Sequence, residues 1–349
     1  MNGLQTRSTN TRKEMKVTWG IENVSRLEHT ALTLGSFDGV HLGHQAILTR
    51  LNALKNEREV SRSLVLTFDP HPQEILRRND TTISLLTTID ERLDLIAKSG
   101  IDETLVVEFT PELAATPYSQ FFQNYIISAI GTDSMVVGFN HAFGKNREGD
   151  IAHLRALAAA EKIYVEETPP FFVGDVSVSS TKIRHALLSA ESVTQALQPE
   201  QEGSQAREPE LPGIETANSF LGRAYSLTGM VEEGDKIGRT LNFPTANILT
   251  HKNKLIPADG IYAGICHTQS GKYKAAISIG TRPTFTSTSE RKIEAYLLGF
   301  EGDLYWENIT VDFHSFIRHQ EKFDGLDSLI TQMQKDVAEV ETRLRSKGL

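Results

Sequence analysis

The sequence holds one cysteine, Cys266, among 349 residues. It has no partner in the chain for a disulfide and cannot build a thiolate metal cage alone. No apolar run reaches the roughly 18 residues that a membrane-spanning helix needs. Positive charge is in deficit: 36 Lys and Arg stand against 45 Asp and Glu, a formal charge of −9. That balance argues against a chain whose main task is gripping nucleic acid, which presents a basic face. It leaves room for anionic small molecules, because a local basic cleft can sit on an acidic protein. The first fifteen residues carry Arg7, Arg12 and Lys13 but lack the apolar centre of a secretory signal. They read as a tail, with Met15 a second candidate start. The expectation is a cytoplasmic enzyme with no membrane partner.

What is present suits two folded domains. The composition is 39% hydrophobic and 23% charged, that of a globular chain, and the length is comfortable for two cores. The first half alternates. Short apolar strands at 31–34, 63–68, 104–109, 135–139 and 163–167 are interleaved with helical patterns from Leu42, at 88–99, at 118–130 and at 151–161. Such alternation predicts a parallel sheet with helices on both faces, whose ligands bind beyond the carboxyl ends of the strands. Residues 198–216 are rich in Gln, Glu, Pro and Gly and read as a spacer. The domain assignment is 17–190, a linker at 191–216, and 217–349. The last part shows short strands at 226–231, 260–267, 273–279, 292–300 and 309–316, the pattern of a small β-barrel or sandwich. Leu326, Leu329, Ile330, Met333 and Val337 form an apolar stripe that predicts a final helix packed on it.

Two segments of the first half carry chemistry. Gly35-Ser-Phe-Asp-Gly-Val-His-Leu-Gly-His44 follows a strand and opens a helix. Gly35 and Gly39 allow backbone turns that other residues resist, and Gly43 lets a ligand approach the main chain. A helix N-terminus offers free N–H groups to phosphate, and His41 and His44, three residues apart, can face the same anion. A Gly-rich turn with two exposed histidines is the plain alternative. A metal site would need further ligands, and none is spaced to complete it. The other segment is Val178-Ser-Ser-Thr-Lys-Ile-Arg184. Its hydroxyls can cap a helix or bind phosphate, with Lys182 and Arg184 adding positive charge. By itself it is an ordinary capped helix start.

Together the two segments resemble the nucleotidylyltransferase superfamily, which carries H-x-G-H near its start and S-S-T-x-x-R near its end. Thr67-Phe-Asp-Pro-His-Pro72 and Val137-Gly-Phe-Asn-His-Ala-Phe-Gly144 narrow the resemblance to the FMN adenylyltransferase module of bacterial FAD synthetases. It implies a Rossmann-like α/β fold, binding of ATP and FMN, and transfer of AMP with release of pyrophosphate. It also implies ATP and phosphate contacts from Gly35, Phe37, Asp38, Gly39, Gly43, Ser180 and Thr181, and flavin contacts from Phe68, Pro70 and Asn140. His41, His44, Asn140 and Arg184 are the expected catalytic set. A phosphate nucleophile is already ionised at neutral pH, so the task is positioning and charge stabilisation, and the histidines are expected as clamps.

In the second half Leu221-Gly-Arg-Ala-Tyr225, Gly238-Arg-Thr-Leu-Asn-Phe-Pro-Thr-Ala-Asn247, Ile279-Gly-Thr-Arg-Pro-Thr-Phe285, Ile293-Glu294 and Ile317-Arg318 follow in order. The set resembles riboflavin kinase, and implies a Greek-key barrel with a C-terminal helix. A ribityl hydroxyl is a poor nucleophile and needs a base. The resemblance assigns that role to Glu294. It assigns Mg²⁺ to Thr245 and Asn247, ATP cover to Gly234, Gly238 and Arg239, and flavin contact to Arg318. The chain departs from the family pattern at Asn242 and Trp306, where glycine is usual. The expected function is phosphorylation of riboflavin to FMN and adenylylation of FMN to FAD. Competing readings keep adenylyl transfer alone, or a flavin-binding regulator without turnover. A nucleic-acid module, suggested by H-x-G-H alone, is opposed by the acidic charge. The oligomeric state is left open.

Overall fold

A computed structural model describes residues 14–76, 83–189, 213–234, 243–281 and 291–349. The chain divides into two compact units, one of Met1–Thr81 and Ile89–Pro170, the other of Thr82–Thr88 and Phe171–Leu349.

The first unit is built on six parallel strands: β1 Lys16–Trp19, β2 Thr30–Leu34, β3 Arg62–Asp69, β4 Glu103–Glu108, β5 Thr132–Gly138 and β6 Tyr164–Thr168. Their order is β1-β4-β3-β2-β5-β6, and every pair is parallel. Strands covered on both faces read as continuous apolar runs rather than alternations, and β2 is buried at all five positions. Ala31, Val65 and Val136 pack with Leu48, Leu51, Leu54 and Ile96 of helices α1 (Leu42–Glu57) and α3 (Ile89–Lys98). The alternate residues Leu32, Leu64, Leu66, Leu105 and Met135 pack with Phe122, Ile126 and Leu154 on the other face. Short helices α2 (Pro72–Leu76) and α4 (Pro111–Ala114) lie between strands. The expected helix at 118–130 is α-helical only over α5 (Tyr118–Phe121) and widens to a π-helix over Phe122–Ile130. Helix α6 is Ile151–Ala160, capped by Asp150. At the amino ends of the strands, Arg62 and Glu103, both buried, form an ion pair at 2.6 Å.

The second unit begins with the hairpin β7 (Phe172–Val173) and β8 (Val176–Ser177), followed by α7 (Ser180–Leu188) and α8 (Ile214–Leu221). Ile214, Glu215 and Thr216, read from the sequence as spacer, form the first turn of α8. Gly213 is its N-cap, and the remainder of the linker, 191–212, lies outside the described residues. Six antiparallel strands then close a barrel: β9 Tyr225–Glu232, β10 Thr245–Thr250, β11 Gly260–Thr268, β12 Gly271–Thr281, β13 Arg291–Leu297 and β14 Asn308–Arg318. The ring order β10-β13-β12-β11-β14-β9 returns β14 beside β11 after a three-strand meander, which is the Greek-key path. Ile183, Leu187, Ala217 and Phe220 share one core with Leu227, Ile277, Ala295 and Phe313 of the barrel.

Helix α9, Leu326–Ser346, follows. The expected apolar stripe lies on its inward side, with Leu329, Ile330, Met333 and Val337 half-buried. Leu326 is 61% exposed, and the buried positions are Asp336, Val340 and Leu344. Val340 and Leu344 pack on Ala263. Asp336 is drawn in by Arg318, whose Nε and Nη2 donate to its two carboxylate oxygens at 2.8 and 2.7 Å. A bidentate ion pair thus seats one charged residue beside the apolar stripe.

Candidate active sites

In the first unit three sequence motifs leave the carboxyl ends of neighbouring strands. Gly35 follows β2, Asp69 ends β3 and Gly138 ends β5. The chain builds the sheet outward through β2, β3 and β4, then switches to the other side of β2 with β5 and β6. The motifs therefore converge at the topological switch point, where open α/β sheets bind ligands.

The loop after β2 is strained and buried. Asp38 is 1% exposed and His41 7%. Gly39 has φ +83°, as expected of a glycine turn, but Gly35 does not lie in the left-handed region; Phe37 (φ +49°) and Val40 (φ +37°) do. Left-handed backbone is rare for a β-branched residue and is held only where the surroundings impose it. Gln45 does so in part, donating Nε2 to the Val40 carbonyl at 2.9 Å. His41 is the N-cap of α1, and its Nδ1 accepts from the His44 N–H at 3.3 Å. With Nδ1 accepting, the proton of the neutral ring sits on Nε2, which becomes a donor. The His41 and His44 rings stack at 3.7 Å, and Phe37 lies 5.1 Å from His44. Gly43 occupies the first turn of α1.

At the end of β3, Phe68 is buried against Phe109, ring centroids 5.4 Å apart, and Pro70 follows a cis Asp69–Pro70 bond. At the end of β5, Asn140 is exposed, and its carbonyl accepts from Arg147 at 3.2 Å. Next to it, burial pushes the His141 imidazole down to about 4, and the charge of Arg147 adds to that. Its Nε2 has no hydrogen-bond partner among the described residues. Gly144, φ +76°, closes the segment. A Cβ there would lie 2.5 Å from the Tyr118 Cα, so both conformation and space require glycine.

The serine–threonine motif belongs to the second unit. Ser179, one of the hydroxyls expected to cap a helix, is the N-cap of α7 and accepts from the Lys182 N–H. Ser180 and Thr181 stand in the first helical turn. Arg184 Nε donates to the Ser84 carbonyl at 2.8 Å.

On the barrel, buried and exposed residues alternate along β10 and β13. Ala246, Ile248, Ile293 and Ala295 point to the core, leaving Thr245, Asn247 and Glu294 on the outer face. Asn247 lies directly across from Glu294 on one side and from Glu232 on the other. A Cβ on Gly234 would lie 2.1 Å from the Asn247 amide nitrogen, so the chain leaving β9 runs against that side chain. Gly238, Arg239 and Asn242 lie outside the described residues. A cavity of about 450 Å³ opens beside Thr245, walled by Val231, Leu297, Phe300 and Tyr305. Arg318, expected near the flavin, spends its guanidinium fork on Asp336 and lies 5.8 Å from the Phe323 ring. Trp306 adopts φ +66° and is 66% exposed. Its position asks for the left-handed backbone that a glycine supplies freely, and the indole points away into solvent. Among the described residues no three His, Cys, Asp or Glu side chains cluster as a metal cage, and no helix is long and apolar enough to cross a membrane. Cys266 is buried, its thiol pushed up to about 12 by burial.

Comparison with known proteins gives two matches along the chain. A family model described as FAD synthetase matches residues 23–182, and one described as riboflavin kinase matches 221–344. A bifunctional riboflavin kinase/FMN adenylyltransferase of Listeria monocytogenes is 33% identical over 305 residues, 87% of this chain and 89% of its own. The Escherichia coli K12 protein of the same name is 31% identical, with 92% of this chain and 96% of its own covered. A crystal structure from Streptococcus pneumoniae, named as a macrolide-efflux protein, is similar over 94% of this chain and 99% of its own, with a TM-score of 0.81 and 26% identity.

Proposed function

The chain belongs to the family of bifunctional riboflavin kinase/FMN adenylyltransferases, and from that premise we propose which residues carry each of its two ATP-dependent reactions. Riboflavin is phosphorylated to FMN by the barrel unit, and FMN is adenylylated to FAD at the H-x-G-H site.

In adenylyl transfer an FMN phosphate oxygen attacks the α-phosphorus of ATP, and the bond to the β-phosphate oxygen breaks to release pyrophosphate. Both reactants are anions, so the work is to hold them in line and neutralise charge at the α-phosphate. His41 Nε2–H and the adjacent His44 are the donors for that charge, the loop Gly35, Phe37, Asp38, Gly39 and Gly43 cradles the nucleotide, and Phe68, Pro70 and Asn140 hold the flavin. The observation that carries this reading is the His41 cap, which fixes one ring's tautomer and stacks it on the other at the switch point. Ser180, Thr181 and Arg184 are assigned to the ATP phosphates on their family motif.

In the kinase step the ribityl hydroxyl attacks the γ-phosphorus of ATP, Glu294 takes the hydroxyl proton and ADP leaves. Thr245 and Asn247 supply two neutral oxygen donors on one strand face, which fits Mg²⁺, an ion that takes few protein oxygens alongside substrate phosphates. When bound it would screen phosphate charge. Gly234, with Gly238 and Arg239, is assigned to the cover over ATP, and the cavity beside Thr245 to its base; a volume of about 450 Å³ lies in the range of small-molecule sites.

The direct test is to incubate the full chain with riboflavin, ATP and Mg²⁺ and to separate the flavins by chromatography. FMN appearing first and FAD after it is the expected result. Conversion of added FMN to FAD with riboflavin untouched would overturn the kinase half of the assignment.

A further inference from the structure

Adenylyl transfer as assigned above depends on two segments, the loop 35–41 after β2 and residues 67–72, the carboxyl end of β3 with the loop that follows it. Their spacing must be fixed, because a misplacement of about 1 Å can cost roughly 10²-fold in rate. Arg92 of α3 lies beneath them. It is 1% exposed, shares the inner face of its helix with Ile96, and is among the largest fully buried side chains of the described residues. A charge in that place loses its hydration, and a Met or Leu of similar volume often packs as well or better. The cost needs a return in geometry.

That geometry is specific. Arg92 Nη1 donates to the Phe68 carbonyl at 2.9 Å and to the Thr67 hydroxyl at 3.3 Å. The Thr67 hydroxyl in turn donates to the Ser36 carbonyl at 3.2 Å. A hydroxyl has one proton and accepts through its lone pairs, so Thr67 is used in both directions: toward the histidine loop and from the arginine. Burial lowers the Arg92 pKa, and the carboxylates of Asp38, Asp69 and Glu74 oppose that shift. Asp38 belongs to the first loop, Asp69 to the second, and Glu74 accepts from the His71 N–H at 3.0 Å. One buried cation thus meets acidic groups from both loops and hydrogen-bonds the backbone of one of them.

We propose that Arg92 and Thr67 form a strut that sets the spacing of the nucleotide loop and the flavin loop, making both of them positioning residues for adenylyl transfer. The proposal rests on the assignment of that reaction to these loops.

The test uses the full chain. Thr67→Val keeps the shape and removes the hydroxyl; Thr67→Ser keeps the hydroxyl. Steady-state FMN adenylylation should fall up to about 10²-fold in kcat for T67V, with KM for ATP and FMN changed far less. Circular dichroism and riboflavin phosphorylation by the same preparation should be unchanged, and T67S should restore most of the rate. Wild-type kcat in T67V overturns the strut, and so does a loss that follows the unfolded fraction without rescue by serine. His44→Ala is measured alongside. If H44A retains full adenylyl transfer, the site assignment fails and the strut with it. If H44A is inactive and T67V is normal, the strut alone fails.

Discussion

The two proposed sites differ in architecture. The first unit gathers its residues on irregular loops at strand ends, with Asp38 and His41 buried and two non-glycine residues in left-handed backbone. The second sets Thr245, Asn247 and Glu294 in register on the face of a closed barrel, half exposed and on extended backbone. The difference follows the nucleophile. A phosphate needs no base but must be held in line beside another anion, which calls for enforced loops and donor groups. A hydroxyl needs a proton acceptor at a fixed distance from bound phosphates, and on the proposed assignment cross-strand register would supply that without strain.

The sharpest way to break this comparison is Glu294→Ala. Loss of a positioned base should slow FMN formation about 10²- to 10⁴-fold and leave conversion of added FMN to FAD intact; an equal fall in both rates would abolish the distinction between the sites. The mirror experiment is His44→Ala, expected to raise the adenylyl-transfer barrier by about 2.7–4 kcal/mol with riboflavin phosphorylation unchanged. Flavin chromatography reads both variants.

The first unit also carries a pH liability. His141 is held neutral down to about 4, below its unfolded value near 6.5. Its contribution to stability is therefore complete above pH 6.5 and is lost as pH falls toward 4, because the unfolded chain takes up the proton first. The loss is at most about 3 kcal/mol, and His141→Phe should flatten that part of a stability profile measured by denaturant titration. The smallest effect is expected on the barrel. Trp306→Gly relieves a left-handed residue and should stabilise by about 1 kcal/mol, less the added freedom of the unfolded chain. A destabilised W306G would mean that the indole makes a contact worth more than the strain.

Much of the fold was legible because burial writes a simple pattern. Strands β2, β3 and β5 are buried at nearly every position and each carries a short apolar stretch, since helices cover both faces of the sheet. Strand β1 escaped notice as a four-residue edge strand with one buried position, and α8 because its first turn adjoins a Pro- and Glu-rich stretch. The final helix was legible from its apolar stripe except at one position: Asp336 is buried by an ion pair with a residue 18 positions away, which no local periodicity encodes. At the sites, residue types were readable and backbone states were not. Nothing in the identities of Phe37 and Val40 announces positive φ. Arg92 left one trace, a charged residue four positions before Ile96 on a helix face that ought to be apolar.

The helix of the serine–threonine motif bears on how such a chain could be divided. Its Ile183, Ala186 and Leu187 are buried with Ala217, Phe220 and the barrel interior, and residues 83–88 bridge to the same unit through the Leu85–Lys254 pair. A cut in the gene near residue 190 would thus respect the boundary between activities but not the boundary between cores. The upstream fragment would keep its phosphate motif on a helix stripped of its hydrophobic seat, so a workable split needs a replacement surface for that helix before it needs any change in chemistry.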